Sequence, residues 1–92
     1  MNSILRKAIE TYGVDAQLNV AIEEFSELTK EICKHKRGEH NTSAIIDEMA
    51  DCYIMLEQMQ IIFGLGSTII MDAMSRKVER LKKNLNAKGI TK

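Results

Sequence analysis

The chain contains no proline and no tryptophan, and two tyrosines and two phenylalanines supply all its aromatic residues, 4% of 92 positions. Without proline nothing breaks a helix from within, so the punctuation falls to five glycines. Stacking on single-stranded nucleic acid needs aromatic rings beside basic side chains. Neither the phenylalanines nor the tyrosines adjoin the basic C-terminal segment, so no specific nucleic-acid binding is expected. Cys33 and Cys52 are isolated and lack Cys-x-x-Cys spacing, which argues against a disulfide framework or a thiolate zinc site; both are expected to be reduced packing residues. No apolar run approaches the ~20 residues that span a bilayer. The start, Met-Asn-Ser-Ile-Leu-Arg, has neither the basic stretch nor the apolar core of a signal peptide. A cytoplasmic protein with no membrane partner is the expectation.

Charge of one sign is missing as well: 13 basic and 13 acidic residues cancel. They are not evenly mixed. From Arg76 to Lys92 there are seven basic residues and one acid, Glu79, whereas acids gather in Glu23 to Glu31 and Asp47 to Glu57. A chain polarised in this way can meet an anion directly at its basic end, or through a cation at its acidic one.

What is present is helical periodicity. Ile4, Leu5, Ala8, Ile9 and Tyr12 mark a short first helix, about 3–12, with Ser3 as its cap and Gly13 as its stop. Asp15 can cap a second, about 15–37. Its apolar stripe is Leu18, Ala21, Ile22, Phe25, Leu28 and Ile32, and basic residues and Gly38 close it. Thr42 or Ser43 can cap a third, about 43–63, striped by Ile45, Met49, Cys52, Leu56, Met59 and Phe63. After Gly64-Leu65-Gly66, Ser67 recaps a fourth, about 67–86, striped by Ile70, Met74, Val78, Leu81 and Leu85, and residues 87–92 should fray. Short connections predict an all-α, four-helix antiparallel bundle in a single domain, 1–92. The third helix is apolar on more than one side, with Ile46, Tyr53, Ile54, Ile61 and Ile62 off its stripe. That surplus predicts a homodimer or homotetramer, with Ile54, Ile61 or Ile62 near the interface.

The chemistry is concentrated in carboxylates. Glu48 stands between Met55 and Met59 on the helical wheel, where an apolar side chain would be expected, and Asp51 follows one turn on. On the second helix Glu24, Glu27 and Glu31 lie along the edge of the apolar stripe, and Glu23 points away. Acid pairs are common on solvated helix faces. Here, however, antiparallel pairing turns Glu24-x-x-Glu27 toward Glu48-x-x-Asp51, and four converging carboxylates call for hard divalent cations between them. A di-iron bundle is disfavoured, because its Glu-x-x-His motif occurs nowhere. His35 and His40 fall in and after the basic helix end and should be solvated.

The sequence Glu23-Glu24-x-x-Glu27, a gap of about twenty residues, and Glu48-x-x-Asp51 resembles the EExxE…ExxD pattern of the MazG-like all-α nucleoside triphosphate pyrophosphohydrolases. The resemblance includes Gln17 upstream, Asp51-Cys52-Tyr53-Ile54 after the second pair and Lys77-Val78-Glu79-Arg80 on the last helix. It covers roughly Val14 to Leu85. It implies hydrolysis of a nucleoside triphosphate to the monophosphate and pyrophosphate. Mg²⁺, with Mn²⁺ as a substitute, would be held by Glu24, Glu27, Glu48 and Asp51. Lys77 and Arg80 would contact phosphate, and Gln17 base or sugar. Members often carry an asparagine near the last basic motif, where this chain has Ser75 and Leu81, so base preference is open. A phosphoribosyl-ATP pyrophosphatase is a sibling alternative. A non-enzymatic helical module that uses its basic last helix for interaction is another.

Overall fold

The computed structural model describes residues 2–89. Four α-helices make up the described chain: α1 (Asn2–Tyr12), α2 (Val14–Lys36), α3 (Thr42–Ile62) and α4 (Ser67–Ala87). The expected elements are all present, each within about a residue of its expected bounds. Of the expected frayed tail, residue 87 still belongs to α4; residues 90–92 lie outside the described ones.

The helix ends follow the glycines more than the hydroxyls. α2 and α3 both finish in the same six-residue closure. Glu39 N–H reaches the Lys34 carbonyl and Gly38 N–H that of His35, while Leu65 N–H reaches Gln60 and Gly64 N–H reaches Ile61. That pattern needs a left-handed residue after the cap, and Gly64 supplies it at φ 65. Side-chain capping at the starts does not form. α2 begins after Gly13, α3 after Asn41 and α4 after Gly66, none with a side-chain cap bond. Asp15 instead lies in the first turn of α2, where its charge suits the positive helix end. Gly13, at φ 94, turns α1 into α2 in one residue.

The packing departs from the expected bundle. α2 and α3 pair along their length and α1 leans across both, but α4 packs against almost nothing and buries no residue. Between α3 and α4 the chain bends by 119°. The radius of gyration is 16.8 Å, against roughly 12 Å for a compact chain of this length. The fourth helix is therefore present, but a single chain does not close the bundle. Among the described residues no single helix is long and apolar enough to cross a membrane; α3 and α4 reach that length and hydropathy only together, across their bend.

The faces that α2 and α3 turn toward each other are also not the expected stripes. The most buried positions are Gln17, Ala21 and Glu31 on α2 and Cys52, Met55 and Gln58 on α3. On a helical wheel each contact face is turned roughly 70–80° from its apolar stripe, toward the acids. Because the helices run antiparallel, the two stripes emerge together on one side of the pair. There Phe25, Leu28, Met49, Cys52, Tyr53 and Leu56 line a shallow apolar groove. Ile22 and Ile32, expected to be buried, are exposed, as are Met49, Leu56 and Phe63. Of the expected interface residues, Ile54 is exposed, and Ile61 and Ile62 are half-buried. Cys52 is buried and free; Cys33, expected to pack, is free but exposed.

Candidate metal centre

Rotation of the two helices carries Glu48 from the edge of the apolar stripe into the contact face. It sits half-buried, and its Oε2 is buried without a hydrogen-bond partner among the described residues. Across from it, α2 presents Glu24, and Asp51 follows Glu48 by one turn. One carboxylate oxygen from each of Glu24, Glu48 and Asp51 lies within 4.8 Å of the other two. Glu27, expected as the fourth, is exposed and does not join this group, although its negative charge is felt by both Glu24 and Glu48.

Crowded carboxylates cannot all ionise cheaply. Glu24 is pushed up to about 7, first because its carboxyl hydrogen-bonds to Asp51, then by desolvation and by the charges of Asp51, Glu48 and Glu27. Glu48 is raised too, chiefly by desolvation and then by Asp51 and Glu27. Burial, with help from the same acids, raises the Cys52 thiol and keeps it protonated. Its Sγ lies 3.5 Å from the Glu24 carbonyl oxygen, to which it donates, so this thiol fixes the α2–α3 register at the level of the acids.

No basic side chain lies within ion-pair distance of the three carboxylates among the described residues; the two ion pairs there are Lys34–Glu31, at 3.3 Å, and Arg37–Glu39, at 4.0 Å. The cluster is thus a set of acids without a protein cation. A buried lone pair on Glu48 and three oxygens in one small volume suit a hard divalent ion, which takes oxygen ligands and tolerates water in its remaining positions. By the helical wheel, Asp51 and Glu27 lie on the side of the α2–α3 pair opposite the apolar groove. One side of the pair is acidic and the other apolar.

The other expected site residues scatter. Lys77 and Arg80 are exposed on α4, which does not pack over the acids within the chain. Gln17 is buried, not solvated. The register that sets Glu24 against Cys52 also brings Gln17 to the level of Gln58, which is only 3% exposed and whose Oε1 has no partner. His35 and His40 are exposed, as expected.

Two features escaped the sequence reading. Glu31, grouped there with the acid run, is buried and tied to the α2–α3 loop: the Asn41 side-chain amide donates to its carbonyl at 2.8 Å and to its Oε1 at 2.9 Å. The amide, helped by Lys34, holds the Glu31 carboxyl below its usual range. An asparagine next to Thr42 and Ser43 reads as one more cap candidate, and nothing in the sequence marks its long-range bond. Gln58 is the second, a polar residue inside the contact face.

The chain matches no protein-family model, no curated protein and no solved structure.

Proposed function

We propose that the chain is a Mg²⁺-dependent nucleoside triphosphate pyrophosphohydrolase, converting a triphosphate and water to the monophosphate and pyrophosphate. The observation that carries this reading is the convergence of Glu24, Glu48 and Asp51 with an orphaned, buried Glu48 oxygen and no protein cation to neutralise them. The residue pattern that resembles the MazG-like enzymes supplies the substrate class; the geometry supplies the reason for a cation. When bound, Mg²⁺ offsets the charge of the triphosphate and makes water acidic enough to attack phosphorus near neutral pH.

The rest of the work belongs to the chain. Glu48 and Asp51, one turn apart on a rigid helix, fix two ligand oxygens, and α2 fixes the third through Glu24. Glu24, whose carboxyl is pushed up first by its hydrogen bond to Asp51, would have to give up its proton to serve as a ligand. Glu27, on the rim, adds negative charge and is suited to a water-mediated role. Water oxygen would bond to the α-phosphorus and the α–β phosphoanhydride bond would break, pyrophosphate leaving with the electron pair and the water's proton passing to solvent. Such a transfer asks mainly for positioning and charge neutralisation. Lys77 and Arg80 remain proposed phosphate contacts, and Gln17 a proposed base or sugar contact, on sequence grounds; Gln17 would need to become accessible to substrate.

One observation favours a second reading. α4 is unpartnered and carries a basic edge, as a helical interaction module would. Pyrophosphate release across ribo- and deoxynucleoside triphosphates and phosphoribosyl-ATP, with Mg²⁺ or Mn²⁺, separates the possibilities. Turnover lost in Glu24→Ala and Asp51→Ala, with helical content unchanged, supports the hydrolase. Turnover confined to phosphoribosyl-ATP identifies the sibling enzyme. Absence of release with every substrate sinks the hydrolase reading in favour of the interaction module, and near-normal release by either variant sinks the metal-site assignment.

A further inference from the structure

Polar residues run the length of the α2–α3 seam at intervals of two helical turns. On α2, Gln17, Glu24 and Glu31 follow one another every seven residues, nearly in line along one face. Opposite them, the buried side-chain oxygens left without a partner among the described residues are those of Asn41, Glu48 and Gln58, all on α3 or at its N-cap. The seam therefore has three levels. Gln17 and Gln58 lie near the start of α2, the three converging acids in the middle, and Glu31 with Asn41 at the α2–α3 turn.

Charge separates the two ends. Near the start of α2 the buried polar groups are uncharged amides. At the turn, the Asn41 amide engages Glu31 Oε1 at 2.9 Å and Lys34 Nζ stands 3.3 Å from Oε2, so both carboxylate oxygens are occupied. Lys34 is thereby drawn back along α2 toward the acids, and its side chain is only 32% exposed. It follows Glu27 by seven residues and shares the side of the pair on which the acids open. Lys34 and Lys30 both act on the Glu31 charge, and Glu31 in turn acts on Glu48. Two ammonium groups around one carboxylate leave this end positive. The Glu31 contact uses one of the three ammonium donors of Lys34, whereas Arg37 turns to Glu39.

We propose that Lys34, held in place by Glu31 and Asn41, binds the β- and γ-phosphates of the triphosphate, an anion whose identity rests on the hydrolase reading. With the α-phosphate at the acid cluster, the rest of the phosphate chain runs along the seam toward the α2–α3 turn. Two turns, ~10 Å, separate Glu27 from Lys34 along α2, and the lysine stem shortens that span by leaning toward the helix start. There the ammonium meets the charge that pyrophosphate gains as it leaves with the electron pair. Lys77 and Arg80 sit on α4, which does not pack over the acids within the chain. Lys34 stands on the same helix as Glu24 and needs no rearrangement to serve.

Calorimetric titration of inorganic pyrophosphate into the full chain, in excess Mg²⁺, tests this. Lys34→Gln should weaken binding roughly 10–100-fold, as loss of a charge-assisted hydrogen bond does. Lys34→Arg keeps the charge and should recover most of the affinity. Lys36→Gln removes the same charge two residues away, on the groove side of α2, and should change nothing. Nucleoside monophosphates, which lack both phosphates, should bind Lys34→Gln as they bind the unaltered chain; circular dichroism of each variant records its helical content. Equal pyrophosphate affinity in Lys34→Gln and the unaltered chain overturns the proposal, as does absence of binding by the unaltered chain or an equal loss of monophosphate affinity. If pyrophosphate binds through Lys34 while every triphosphate goes unhydrolysed, the hydrolase reading fails and the anion site stands.

Discussion

Replacing Glu48 by glutamine keeps the shape of a side chain in the α2–α3 contact and removes its charge. In the metal-free protein that charge is partly desolvated and, in addition, faces Asp51 and Glu27, which raises its pKa. Glu48→Gln should therefore raise the metal-free melting temperature. It should also shrink the stabilisation given by Mg²⁺, because the variant loses a ligand and ligand stabilisation scales with affinity, and turnover should fall by orders of magnitude. Melting curves of both proteins with Mg²⁺ and with chelator decide this. An unchanged Mg²⁺ response would remove Glu48 from the site. Glu24 makes a second expectation. Folding pushes its carboxyl up from the ordinary glutamate value of 4.5 to about 7, so in that window the folded chain holds more proton than the unfolded one. Metal-free stability from this group is full below the lower value and is lost as pH rises through the higher. Glu48 shifts in the same direction. Glu31, lowered by Asn41, acts in the opposite sense and at lower pH. Calorimetry with chelator should show the melting temperature falling as pH rises toward about 7. The gain from Mg²⁺ should grow over the same interval, as the cation no longer competes with that proton. A melting temperature that rises steadily across the interval would contradict the raised Glu24 carboxyl.

At the scale of elements, the ends of α3 and α4 separate two kinds of glycine. Gly64 sits at φ 65 in the closure of α3, whereas Gly66 has φ −74 and ψ 153, open to any residue. Neither would place an added Cβ within 4 Å of another atom, so only backbone conformation distinguishes them. Gly64→Ala should cost about 1–2 kcal/mol and Gly66→Ala close to nothing. Urea melts of the two variants test the contrast; equal costs would mean that the elbow between α3 and α4 does not hold the left-handed turn. The elements themselves were legible in the sequence. Gly38 and Gly64 end their helices where the sequence reading placed the breaks. The caps were less legible. Ser3, Asp15, Thr42 and Ser67 are all compatible with capping, but whether a side chain folds back on its own helix depends on what else lies nearby. Asn41 shows the competition, since its amide is drawn to Glu31 on the preceding helix.

At the scale of the whole molecule, a chain with so much uncovered apolar surface and so extended a shape is expected to gain stability by associating with a second copy. Its melting temperature should then rise with protein concentration, because dissociation accompanies unfolding. Melts over a hundredfold range of concentration check this, and a melting temperature independent of concentration would indicate a chain stable on its own.

The sequence by itself determined four helices, their limits, and the spacing that puts Glu24, Glu48 and Asp51 on facing sides of two antiparallel helices. These are local properties: periodicity, glycine punctuation and a one-turn interval between acids. Only the tertiary structure decided how far α2 and α3 rotate about their axes. A stripe wider than one neighbour covers can turn either edge inward, and here the acidic edge went in. That rotation brings three carboxylates together, leaves Glu27 on the rim, buries Gln17 and Gln58, and exposes Met49, Tyr53 and Leu56 on the other side. The direction of α4 was likewise beyond the sequence. The residues between Phe63 and Ser67 state that the chain turns, but the angle depends on which surface receives the apolar stripe of α4, and no helix of the same chain covers it.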